Sequence, residues 1–350
     1  MLIFGPRTTN IAAVDQKISA MSLPSSVRVI EVGMRDGLQS VRKTLTTAEK
    51  VLLVESLLTA GVTEIEVASF SHPKVLPQMA DAEQLLAAVP RPEGVRYRGL
   101  VPNAHGARRA VNSGVDELVA LTCTDPEVTM INQNRTHSQM WTELDEILQV
   151  SQGIPVTVAI VMSFFAYGSG LVSPEKLDYF VDRIVEAGAT SIYVADSAGL
   201  ADPRQVHDAI ARIKENHPEL LVGVHLHTRG GLALANTLSA LLANVDWIEG
   251  AFCGLGGDLW LPGDVDVLGN TPTEDLVAML SYMGIATGID LGLFEETVSL
   301  AQILTDSPTF GHYTRGGSRS EMEAIVWSEL LALPGKEIPT TRKNVDTKNA

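Results

Sequence analysis

The sequence predicts an α/β fold, a (β/α)8 TIM barrel followed by a C-terminal helical appendage. Three observations predict it. Short β-branched apolar runs alternate with longer stretches in which apolar residues recur at helical spacing. Roughly eight such units fit into about 270 residues, the count and size of a TIM barrel. Ionisable residues gather where the strands end, which is the face of such a barrel that carries its chemistry. A doubly wound sheet shares the alternation, so periodicity alone does not exclude it.

The strands are expected at VRVIEV (27–32), TEIEVA (63–68), YRGLV (97–101), ELVALT (117–122), VTVAIVM (156–162), SIYVAD (191–196), LVGVHLH (221–227) and DWIEGAF (246–252). Helices are expected between them at 47–60, 78–89, 104–114, 138–152, 174–187, 203–216 and 231–244, with another at 273–286. Thr46 with Glu49, Ser173-Pro-Glu, Asp202-Pro and Thr273-Glu-Asp place capping residues, prolines or carboxylates in first turns. Gly61, Gly114 and Gly188 mark helix ends. The barrel is therefore assigned to 27–290, preceded by an extension (1–26) and followed by the appendage (291–350). Within the appendage, the glycines, Arg315 and Arg319 of 305–321 read as a solvated linker, or as a lid or subunit-contact arm that meets an anion.

Composition limits the partners. The chain has 350 residues, 45% of them hydrophobic, enough to bury a large core. A formal charge of -16 argues against nucleic acid or an anionic membrane as the main partner, because both need a basic footprint. An anionic substrate would have to be met by local arginines. Cys123 and Cys253 lie far apart without metal-type spacing, which favours a reducing compartment over a disulfide framework. The opening MLIF is too short for a signal-peptide apolar region, and no stretch reaches membrane-spanning length. A cytoplasmic protein is expected.

The chemistry is sought at the strand ends. Arg35 and Asp36 follow the first strand, Glu66 and Ser69 end the second, Asp196 and Ser197 the sixth, and His225 and His227 the seventh. Residues two apart on a strand share a face, so His225 and His227 both point into the barrel mouth with Leu226 turned outward. That is metal-ligand geometry. Two imidazoles with a carboxylate and an amide oxygen suit Mg2+ or Mn2+, and also Zn2+ or Co2+, with positions left for substrate oxygens.

Four ordered motifs carry a family resemblance. EVGMRDGLQS (31–40), IEVASFSHPKVLPQMAD (65–81), HLHTRGGLALANTL (225–238) and GLGGDLWLPGDVDVLGNTPTEDLVAML (254–280) resemble 3-hydroxy-3-methylglutaryl-CoA lyase and the related metal-dependent barrel lyases and synthases with Arg-Asp-Gly on the first strand. The resemblance implies Asp36, His225, His227 and Asn270 as metal ligands and Arg35 as the group stabilising the enolate oxygen. Glu66 and Asp196 would orient these groups or move protons; structural acceptors at strand ends are the alternative. Asn132 and Asn134 in DPEVTMINQNRTHS (125–138), together with Arg229, would contact acyl or CoA portions of substrate, with turn formation the alternative for the asparagines. Lys74, Arg108, Arg109 and Arg135 are further basic candidates for a CoA thioester, and a homodimer is implied.

Three departures accompany the match. The family's GLGG is followed by a cysteine acid, whereas this chain has Asp258. HxHDTYG is replaced by His227-Thr228-Arg229-Gly230, and a cysteine-containing turn after the fifth strand by SFFAYGSG (163–170). Asp258 would serve as proton donor only if desolvation raised its pKa; a solvated loop residue is the alternative. The expected activity is carbon–carbon cleavage of a 3-hydroxy acid or 3-hydroxyacyl-CoA with altered specificity. The alternatives are condensation of acetyl-CoA with a 2-oxo acid and a non-catalytic metal-binding barrel.

Overall fold

A computed structural model describes residues 23–257 and 267–326. Eight parallel strands close into a barrel: β1 (Arg28–Glu31), β2 (Glu64–Ser69), β3 (Arg96–Val101), β4 (Glu117–Cys123), β5 (Val156–Val161), β6 (Ser191–Asp196), β7 (Leu221–Leu226) and β8 (Trp247–Gly250). They follow one another around the ring in chain order, and closure comes from β1 on β8, where Arg28 pairs with Trp247 and Glu31 with Gly250. A small antiparallel hairpin, Phe165–Ala166 with Gly170–Leu171, decorates the loop after β5.

Ten of the described helices matter here: α1 (Thr47–Thr59), α2 (Ala82–Ala88), α3 (Ala104–Asn112), α4 (Pro126–Gln133), α5 (His137–Val150), α6 (Pro174–Glu186), α7 (Pro203–Asn216), α8 (Ala233–Leu242), α9 (Thr273–Tyr282) and α10 (Leu291–Thr305). The start signals act locally. Thr46 forms a full capping box with Glu49, and Ser173 and Asp202 cap α6 and α7. Thr273-Glu274-Asp275 behaves differently: α9 has no side-chain cap, and these three side chains hold other parts of the chain.

The core has two layers. Alternate strand residues such as Ile65, Val67, Val158 and Val224 face the helices. The other set, including Ile30, Val119, Ala159, Tyr193 and Trp247, fills the barrel itself. Helix α10 buries Phe294, Val298 and Ala301 in the outer layer, and its Thr297 hydroxyl lies 2.7 Å from that of Ser56 on α1.

Past α10 the chain is sewn back onto the barrel rather than solvated. Thr309 donates to Glu274 at 2.7 Å, Phe310 N–H to the Cys253 carbonyl at 2.9 Å, and the N–H groups of His312 and Tyr313 to Asp275 at 2.9 and 2.6 Å. Arg319 stacks 3.7 Å over the Tyr282 ring.

Glu31 and Glu274 are sealed from water behind β1 and β8. Glu31 accepts from Gly33 N–H at 2.6 Å, Phe252 N–H at 3.0 Å and the Thr273 hydroxyl at 2.7 Å. Burial pushes Glu31 up to about 8 and Glu274 up to about 7, from an ordinary 4.5. The folded protein thus keeps protons that the unfolded chain releases, so stability is lost as pH rises through this window. Melting temperature is expected to fall by several degrees between about pH 5 and 8, and Glu31→Gln should flatten the slope. An unchanged slope in that variant would remove Glu31 as a cause.

Candidate metal centre

The site begins with one wide turn. The Val32 carbonyl accepts from the N–H groups of Arg35, Asp36 and Gly37 at 3.1, 2.7 and 3.3 Å, forming a π-helical turn over Gly33–Gly37. A strand would send Arg35 and Asp36 to opposite sides; this turn buries both in one pocket. Gly33 is needed there because a Cβ would stand 2.5 Å from Glu31 Oε1 and 2.6 Å from the Phe252 ring.

Asp36 is held from four directions. Oδ1 accepts from Arg35 Nη1 and from Gln39 Nε2 at 2.7 Å, and Oδ2 accepts from Gly257 N–H at 3.2 Å and Asn270 Nδ2. Burial opposes its ionisation, but Arg35, His225 and His227 hold the carboxyl well below the usual carboxylate range. Arg35 also donates from Nε to Glu66 Oε1. Burial raises Glu66, and its second oxygen has no hydrogen-bond partner.

Asp36, His225 and His227 bring ligand atoms within 4.8 Å of one another. His225 Nδ1 lies 2.9 Å from Glu249 Oε2, and His227 Nδ1 lies 2.9 Å from the Ser197 carbonyl. Acceptors at both Nδ1 atoms assign the protons there and leave the two Nε2 lone pairs aimed at each other across 3.0 Å. That separation matches adjacent positions around an ion with metal–nitrogen distances of about 2.1 Å. Burial opposes charge on both rings: with His225 it pushes His227 down to about 4, while at His225 it is outweighed by the Glu249 carboxylate, which raises that ring.

Asn270 is brought alongside by an antiparallel bridge to His227. Its Nδ2 donates to Asp36 and, at 2.7 Å, to the Leu255 carbonyl, whereas its buried Oδ1 has no hydrogen-bond partner. A buried amide oxygen left over beside two converging imidazoles and an ionised carboxylate fits a divalent cation. The four ligand candidates therefore come together.

The other sequence candidates divide. Asp196 accepts from the N–H groups of Leu200 and Ala201 at 3.0 and 3.1 Å, the structural alternative, while burial raises it to about 6. Asn132 and Asn134 are exposed, with Asn134 ending α4 in a left-handed conformation, the turn-forming alternative. No hydrogen bond among the described residues joins either to the metal cluster. Arg229 lies 5.9 Å over the Tyr167 ring, so two of the three altered segments meet. Arg109 and Arg135 are paired with Glu83 and Glu143 at 2.7 and 3.0 Å. Asp258 lies outside the described residues. Sequence reasoning missed Glu249 and Gln39; the signal for Glu249 was an acid two residues from Trp247 on the inward face of the eighth strand.

The HMGL-like family model matches residues 26–301. The chain belongs to the HMGL-like family. Among its relatives, the mitochondrial hydroxymethylglutaryl-CoA lyase of Homo sapiens is 34% identical over 273 residues, 77% of this chain and 83% of that protein. The cytoplasmic 3-hydroxy-3-methylglutaryl-CoA lyase of Rattus norvegicus is 31% identical over 279 residues, 79% of this chain and 80% of that one. The HMG-CoA lyase structure from Acinetobacter baumannii, in complex with coenzyme A and 3-methylmalate, superposes with a TM-score of 0.81 at 30% identity, covering 86% of this chain and 98% of that chain. The Bacillus subtilis HMG-CoA lyase gives 0.80 at 28% identity, covering 85% and 99%. This HMGL-like protein is a carbon–carbon lyase of the hydroxymethylglutaryl-CoA lyase type, in a divalent-metal-dependent family. The condensing and non-catalytic alternatives draw no support from these relatives.

Proposed function

We propose that this lyase cleaves a branched 3-hydroxyacyl-CoA, with Mg2+ or Mn2+ as its ion, and that its substrate differs from 3-hydroxy-3-methylglutaryl-CoA. The observation that carries the reading is the convergence of the His225 and His227 Nε2 atoms on Asp36, directly beside the Arg35 guanidinium. Asp36, His225, His227 and Asn270 would hold the ion, which when bound supplies Lewis-acid polarisation of substrate oxygens. In the cleavage, a base takes the 3-hydroxyl proton, the C2–C3 bond breaks to leave a ketone, and the bond electrons pass to an enolate that is then protonated. Arg35 offers a fixed cation where that enolate charge develops, and Glu66 fixes Arg35. Asp196 is the base candidate: each of its oxygens accepts a backbone N–H yet keeps a further lone pair, and burial raises the carboxyl to about 6.

The altered-substrate part rests on Asp258, in the position where the family motif has a cysteine, and on the Arg229–Tyr167 contact. Metal-loaded protein should be screened against 3-hydroxyacyl-CoAs, with Asp258→Cys alongside. The expected result is turnover of another branched thioester, little acetoacetate from 3-hydroxy-3-methylglutaryl-CoA, and a gain of about a hundredfold or more in Asp258→Cys, the lower end of a general-acid contribution. Efficient 3-hydroxy-3-methylglutaryl-CoA cleavage by the unaltered protein would overturn the altered specificity. No turnover of any thioester would overturn the CoA reading.

A further inference from the structure

Beneath the metal cluster runs a second set of charges that catalysis does not touch. Arg98 on β3 is 1% exposed, and its guanidinium bridges two carboxylates across the barrel interior. Nη2 reaches Glu117 Oε1 on β4 at 3.0 Å, and Nη1 reaches Glu249 Oε1 on β8 at 3.3 Å. Trp247 Nε1 donates to that same Glu249 oxygen at 3.3 Å, with Arg98 5.2 Å over the indole. The other Glu249 oxygen, Oε2, takes His225 Nδ1. Glu249 is thus fixed at one oxygen from below and aims the other at a metal-ligating ring.

We propose that Arg98 is a positioning residue for the metal site, acting through Glu249 on His225. This rests on the metal reading above. A carboxylate anchored at only one oxygen can swing about its side-chain torsions, and the imidazole it orients swings with it. Anchoring by Arg98 and Trp247 removes that freedom and keeps His225 Nε2 at its 3.0 Å spacing from His227 Nε2. The guanidinium also offsets the cost of burying Glu249 and Glu117, which an apolar residue at 98 would not. A planar fork suits this task because two carboxylates must be met at once.

The test is Mn2+ titration calorimetry on the full chain. Arg98→Met and Glu249→Gln are each expected to weaken Mn2+ binding by about 10- to 100-fold. The double variant should be no weaker than the worse single one, since both changes break one connection. Arg28→Met is the control: Arg28 also lies over Trp247, at 5.7 Å, but pairs with Glu64, so Mn2+ affinity should stay at the wild-type value. Should Arg98→Met fail to fold, Arg98→Lys keeps the charge, loses the fork, and is read the same way. Wild-type Mn2+ affinity in a folded Arg98 variant overturns the proposal. Absence of Mn2+ binding in the unaltered protein instead overturns the metal reading on which it rests.

Discussion

Arg35→Met is expected to lower kcat by about a thousandfold, the scale of losing a preorganised donor to a developing oxyanion, while Mn2+ affinity is retained. The two effects separate because Arg35 holds Asp36 from the side: Asp36 keeps Gln39, Gly257 and Asn270 when the guanidinium is gone. Stability should fall as well, by about 3–5 kcal/mol, since two buried carboxylates, Asp36 and Glu66, lose their shared cation. Arg35→Lys is expected to recover little activity, because a point charge cannot fork between them. Steady-state kinetics with calorimetry decide the matter; a kcat within tenfold of wild type would remove Arg35 from the reacting centre.

The second large effect is expected at Gly256, whose φ is +96°. A Cβ there would stand 2.4 Å from Asn270 Nδ2 and 2.7 Å from both Asp36 O and Oδ2. Gly256→Ala must therefore push Asn270 and Asp36 apart, and displacement of such groups by about 1 Å costs on the order of a hundredfold in rate. Metal affinity should fall with it. Gly316→Ala, where a Cβ meets nothing within 4 Å, is expected to change stability by no more than about 0.5 kcal/mol. Full activity in Gly256→Ala would show that the loop yields elsewhere.

Much of the barrel was legible because inward and outward residues alternate. SIYVAD and the helix at 203–216 fall on the observed residues, and the other strand ends either coincide or move by one or two positions. His225 and His227 were legible because two-residue spacing on a strand is a geometric statement. The Arg35–Asp36 pocket was not readable from adjacency alone, since a strand would have separated them and only the wide turn at Gly33–Gly37 joins them. Helix α4 is absent from the expected helices, and the turn chemistry of its Asn-Gln-Asn run appears only at Asn134. Arg98 and Glu249 escaped because they lie 151 residues apart, and the sequence does not show which side chains meet across a closed barrel. The docking of 309–313 escaped for a related reason: Glu274 and Asp275 look like ordinary first-turn acids until the chain returns to them.

The turn at Gly33–Gly37 also bears on how such an enzyme can diverge. Arg35 and Asp36 are consecutive residues of one five-residue turn, fastened at Val32, Glu31 and Glu66. The altered turns after β5 and β7, at 163–170 and 228–230, lie outside that piece, whereas the segment after β8 touches it at Gly257 and Asn270 and is not free to change there. A lineage can therefore exchange the turns after β5 and β7 in separate small steps while the Arg35–Asp36 pair is inherited as a single part.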